Sequence, residues 1–95
     1  MNKGDNPFVK LGPNEVCPSG TKISNVKRCR VAAQWAGSMG LHPKRTVRIG
    51  SWRSVPFQCS AQVTGDGTLH FSENNLTDNK RFATGEFVMI CEKGS

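Results

Sequence analysis

The stretch SNVKRCRVAAQWAG, residues 24–37, reads plainly as a helix, and it carries one of the chain's four cysteines. Ser24 or Asn25 is a natural N-cap, because a short polar side chain there satisfies amide groups that the first turn leaves open; Gly37 is a natural stop. Between them lies Val26 to Ala36. Cys29, Ala32, Ala33 and Ala36 follow the i, i+3, i+4, i+7 rule and share one face. Small residues on that face let the helix sit close against a sheet. Lys27, Arg30 and Gln34 point the other way, into water, and Trp35 at the flank of the stripe reads as core volume.

Working outward, the helix meets strand signals on its C-terminal side. Ser38 to Lys44 is loop, punctuated by Gly40 and Pro43. Thr46 to Ile49 alternates as a strand should, with Thr46 and Arg48 on one face and Val47 and Ile49 on the other, so Arg48 is expected exposed between buried neighbours. Phe57 to Val63 and Thr68 to Ser72 flank Thr64-Gly65-Asp66-Gly67, a hairpin signal because Asp-Gly tolerates the positive φ of a tight turn. Residues 73–80 (ENNLTDNK) are polar and turn-like. Phe87 to Cys91 (FVMIC) is a continuous apolar run fit for a strand buried on both faces. On the N-terminal side, Asn14 to Cys17 reads as a short first strand ended by Pro18-Ser19-Gly20. Residues 1–13 (MNKGDNPFVKLGP) read as a flexible lead-in arm, ordered in part by Phe8 and Val9. The expectation is an α+β fold, one helix packed on a small, mostly antiparallel sheet, with a single domain over residues 14–93.

Ninety-five residues with 36% hydrophobic content make a thin core for a domain that stands alone. The cysteines compensate. Cys17, Cys29, Cys59 and Cys91 are separated by eleven, twenty-nine and thirty-one residues and form no CxxC pair. A structural zinc site usually needs at least one close ligand pair, so two disulfides in an oxidising compartment fit better. Three connectivities are open to four cysteines, and the sequence does not choose among them. The nested one is our expectation: Cys17 with Cys91 tying the ends, and Cys29 with Cys59 pinning the helix to a strand.

The net charge is +6, and it is segregated. No acidic residue lies between Val16 and Gly65, where Lys22, Lys27, Arg28, Arg30, Lys44, Arg45, Arg48 and Arg53 fall. Acidic partners follow from such a balance. No run approaches a membrane span and no signal peptide is present, so a secreted reading implies a mature domain, with Met1 and Gly94-Ser95 as added ends.

The order of the motifs resembles a known group. Cys17-Pro-x-Gly with Ile23 is followed by Cys29-x-x-Ala-Ala, then Gly50-Ser51-Trp52 with Pro56, Cys59-Ser60, the His70-Phe71 strand and the closing Ile90-Cys91. Over about residues 15–92 this resembles small secreted four-cysteine domains that recur, often in tandem, in predicted extracellular proteins of algae and other marine protists. Those domains often have Gly where Gln58 precedes Cys59, and Asn where Ser72 follows Phe71. The resemblance implies secretion, disulfides and a binding or wall-associated role, and it carries over no catalytic residue. The ending Phe87-Val-Met-Ile-Cys91-Glu-Lys is also similar to the last strand of C-type-lectin-like domains, whose long loop and tryptophan-centred motif are not evident here.

Lys44, Arg45, Arg48 and Arg53, with Trp52 beside them, form the candidate binding site. Arg offers a planar fork for bidentate contact with sulfate, carboxylate or phosphate, and an exposed Trp stacks on a sugar ring. The bland alternatives are a solvated basic face and a Trp that only fills core. Asp66, Glu73 and Asp78, with Asn74, Asn75 and Asn79, supply oxygen ligands of the kind calcium takes, but turn chemistry explains the same residues and no metal or cofactor is expected. Asn75-Leu76-Thr77 is a glycosylation sequon. His42 and His70 read as loop and strand residues, and disulfide bonding removes the free thiol a Cys–His nucleophile needs. An enzyme is not expected. The reading is a secreted binding module for acidic polysaccharide or another anionic extracellular polymer. The alternative is a protein-interaction or structural module of a larger secreted protein. A cationic membrane toxin lacks the long basic amphipathic helix it would need, and nucleic acid is disfavoured because no recognised motif accompanies the charge.

Overall fold

Asn25 does cap the helix: its backbone is extended and its side-chain oxygen accepts from the Arg28 amide at 2.8 Å. The computed structural model describes residues 6–13, 15–52, 55–74 and 85–93. Among them α1 (Val26–Gln34) is followed by a 3-10 turn (Ala36–Met39) and is joined by five strands: β1 (Phe8–Lys10), β2 (Arg48–Gly50), β3 (Gln58–Gln62), β4 (Leu69–Ser72) and β5 (Phe87–Glu92). The helical path ends at Gly40 rather than Gly37. The positive φ that stops it, +77°, falls at Gly40, and the Leu41 amide then reaches back to the Ala36 carbonyl at 2.9 Å.

The strands lie in the order β1-β5-β3-β4-β2, antiparallel except for β2 beside β4. With the one helix on the sheet, this is the expected α+β architecture. The register fixes two faces, since side chains alternate along each strand. Toward the helix point Phe8, Cys59, Ala61, Leu69, Phe71, Val88 and Ile90, which pack with Cys29, Ala32 and Ala36 of the helical segment and with Ile23, Leu41 and Val47. On the opposite face Met89 and Cys91 pack with Cys17, Val9 and Leu11. β5 runs between β1 and β3 and is covered on both sides, which is why its sequence is apolar without alternation. Each large side chain so buried contributes roughly 1.5–3 kcal/mol.

Both disulfides are of the nested pairing. Cys29–Cys59 ties the helix to β3, and Cys17–Cys91 ties the segment after β1 to β5, with Cα atoms 5.6 and 5.7 Å apart. The first lies on the helix face of the sheet and the second on the other face.

Three local expectations are corrected. The first strand is not Asn14 to Cys17: Glu15, Val16 and Cys17 are outside any strand, Asn14 is outside the described residues, and the strand forms instead within the lead-in arm at Phe8–Lys10. It forms there because β5 offers it a full ladder, Phe8 opposite Glu92 and Lys10 opposite Ile90. The hairpin between β3 and β4 forms as expected, but its turn is one residue longer than Thr64 to Gly67. Gln62 and Thr68 close it, residues 63–67 make the turn, and its one positive φ is at Gly67. Ile49 is 45% exposed although Val47 is buried. It stands on the helix face opposite Phe71, but β2 is the outermost strand and the helix does not cover it.

Candidate functional site

On the sheet face away from the helix, β3 and β4 alternate polar side chains: Gln58, Ser60 and Gln62 on one, His70 and Ser72 on the other. Ser60 and Ser72 are fully buried and His70 is nearly so. The Ser60 hydroxyl has no hydrogen-bond partner among the described residues. Ser72 does have partners: its Oγ accepts from the Trp52 amide at 3.3 Å and donates to the Trp52 carbonyl at 3.2 Å, fixing the backbone that presents the indole.

Arg48 enters this face from β2, directly opposite His70. A hollow of about 290 Å³ opens there, lined by Arg45, Arg48, Gln62, Asp66, Thr68 and His70. A second, of about 230 Å³, shares Arg48, Gln62 and His70 and is walled by Trp52, Val55 and Phe87. The aromatic wall is ordered edge to face. The His70 ring lies 5.4 Å from that of Trp52 and 5.1 Å from that of Phe87, at interplanar angles of 72° and 80°. His70 Nδ1 sits 3.0 Å from the Thr68 carbonyl, which can only accept, so Nδ1 carries the proton of that bond.

The charges at the rim are mixed. Arg45 Nε lies 3.6 Å from Asp66 Oδ2. The Asp66 carboxyl is held below its ordinary value by Thr68, through its amide, and, more weakly, by Arg45. That amide donates to Asp66 Oδ1 at 3.0 Å, so the carboxylate also braces its own turn. Arg48 is exposed and makes no ion pair among the described residues.

Of the five candidate binding residues, three meet here: Arg45, Arg48 and Trp52. Lys44 is exposed and lines a separate hollow with His42 and Gly65, and Arg53 lies outside the described residues. Trp52 is half-buried, and Trp35 is half-buried against the helix-face core. Asp78, Asn75 and Asn79 of the calcium candidates, and the sequon, also lie outside the described residues. Among the described residues no three of His, Cys, Asp and Glu gather closely enough to hold a metal ion. Nor is any helix there long and apolar enough to cross a membrane.

Gln62, Thr68 and His70 were not singled out for this site by sequence, nor was Asp66 as its rim carboxylate. The signal was present. Polar residues at every second position on two paired strands, Gln58-Ser60-Gln62 and Thr68-His70-Ser72, mark a sheet face that is not apolar core. Compared with family models, with curated proteins and with solved structures, the chain finds no match in any of the three.

Proposed function

We propose that the chain is an extracellular, non-catalytic binding module for an acidic polysaccharide or related anionic wall polymer, held at the Arg45, Arg48 and Trp52 hollow. One observation carries this reading: a cation without an ion-pair partner among the described residues, Arg48, stands between a polar hollow and an aromatic-walled one on an otherwise ordered sheet face. A guanidinium fork suits a carboxylate or sulfate, and an indole suits the face of a sugar ring. The supports are β-strands and a backbone pinned by Ser72, so little ordering is left to do on binding. Two buried disulfides fit an oxidising compartment.

The test is binding of the oxidised protein to a panel of neutral and acidic polysaccharides, at low salt and near physiological salt. Saturable binding of an acidic polymer at both salts is expected, weakened about tenfold by Arg48→Ala and measurably by Trp52→Ala. Unchanged affinity in both variants would reject the site, and binding abolished by added salt would reduce it to charge alone. A second reading, a protein-interaction module, rests on Ile49, an exposed apolar side chain on the edge strand β2. It predicts a specific protein partner and no saturable polymer binding.

A further inference from the structure

The helix faces the chain leading into β2 across a different kind of surface. Arg30, Ala33 and Gln34 stand at i, i+3 and i+4, so they form one ridge of α1. Between that ridge and the segment from Pro43 to Val47 lies a hollow of about 310 Å³. Its apolar floor is Ala33, Pro43 and Val47, and apolar groups make most of its wall. Val47 is buried and Ala33 packs on the helix-face core, so the fold fixes this floor. Ala33 brings only a methyl group to it, and the space stays open.

Two cations line the same hollow, Arg30 from the helix and Arg45 from the opposite segment, with no carboxylate among the lining residues. Both are exposed. Arg30 makes no ion pair among the described residues. Arg45 stands 3.6 Å from Asp66, too far for a hydrogen bond, so its N–H donors remain available. An apolar floor with a few polar groups at its edge is the usual make-up of a small-molecule site, and about 310 Å³ is at the low end of their size.

We propose that this hollow is a second binding site, for a small organic carboxylate with an apolar body about the size of a single ring. The body covers Ala33, Pro43 and Val47 and leaves water there. The carboxylate lies at the edge, where the Arg30 guanidinium offers a planar pair of donors and Arg45 a second cation. Neither half suffices alone. Exposed cations hold a bare anion weakly in water, and the floor is too small to hold an uncharged ring firmly. Arg48 and Trp52 line no part of this hollow, so the site is independent of the polymer-binding reading.

The experiment titrates the oxidised, isotope-labelled protein at neutral pH and follows its amide resonances by NMR. Three probes are used: hydrocinnamate, acetate, which has the charge without the body, and hydrocinnamyl alcohol, which has the body without the charge. Hydrocinnamate is expected to saturate the shifts of Ala33, Gln34, Thr46 and Val47 with a dissociation constant on the order of 1 mM. The alcohol should bind about tenfold more weakly, and acetate should not saturate. Arg30→Gln should weaken hydrocinnamate about fivefold and leave the alcohol unchanged. Ala33→Leu, which fills the hollow with a good helix former, should abolish binding of both. Arg48→Ala should change neither. Acetate matching hydrocinnamate would reduce the site to a charged patch, and the alcohol matching it would show that the arginines take no part. Absence of saturable shifts at these amides, or an equal effect of Arg48→Ala and Arg30→Gln, would also overturn the proposal. None of these outcomes touches the polymer-binding reading.

Discussion

Arg28 grips Glu92 with two parallel bonds, Nε to Oε2 at 2.6 Å and Nη2 to Oε1 at 2.8 Å, while its guanidinium lies 4.6 Å over the Phe8 ring. One side chain of the helix thereby holds the first strand and the last. The pair sets the direction of both groups: Arg28 holds the Glu92 carboxyl below its ordinary value, and Glu92 raises Arg28.

Glu92 consequently contributes stability above its ordinary value of 4.5, and that contribution is lost as pH falls from there through the depressed value. The raised Arg28 stays charged throughout, so acid acts on the pair through Glu92 alone. Both side chains are partly exposed, so Glu92→Gln should cost only about 0.5–1 kcal/mol at neutral pH. Denaturant melts of wild type and variant at pH 7 and pH 3 check this: the gap should narrow in acid. An equal gap at both values would show that the pair is not the source.

Gln58 has a φ of +70° and is the only such non-glycine among the described residues. A side chain there costs roughly 1–2 kcal/mol, partly offset in a glycine variant by the entropy glycine brings to the unfolded chain. Gln58→Gly should therefore raise stability by about 0.5–1 kcal/mol, whereas Gln58→Ala should not. Thermal melting of the two variants decides it.

Gly50 reports on the aromatic wall. A Cβ there would fall 2.6 Å from Trp52 Cζ2, so Gly50→Ala must displace the indole from its seat 5.4 Å from the His70 ring. Its backbone φ is not positive, and alanine itself is tolerated. In a Trp35→Phe background, the Trp52 emission should shift to the red, with a loss of about 1 kcal/mol from the broken ring contact. Unshifted emission would mean the indole is not seated on Gly50.

The parts of the fold that were legible in the sequence are those decided locally or by covalent chemistry. The Asn25 cap and the small-residue face of Cys29, Ala32 and Ala36 each follow from neighbours three or four residues away. The apolar run at Phe87 announces burial on both faces. β1 was legible only as partial order at Phe8 and Val9, because three residues next to Pro7 become a strand only through the ladder that β5 supplies from the far end of the chain. The same holds for the site. Its cations were read from charge, but Thr68 and Gln62 become neighbours through the β3–β4 pairing, and Asp66 acquires its role from Arg45, twenty-one residues earlier.

Chain entry and chain exit lie side by side: the Lys93 amide donates to the Pro7 carbonyl at 2.7 Å, and Cys17–Cys91 closes the chain just inside that point. Tension applied through the flanking chain would thus peel β1 from β5 and then meet a covalent bond. β2, β3 and β4 all lie between the bridged cysteines, so no load reaches them while the bond is intact. Arg48 and the strands paired beside it would thus carry none of a pull applied at the two ends.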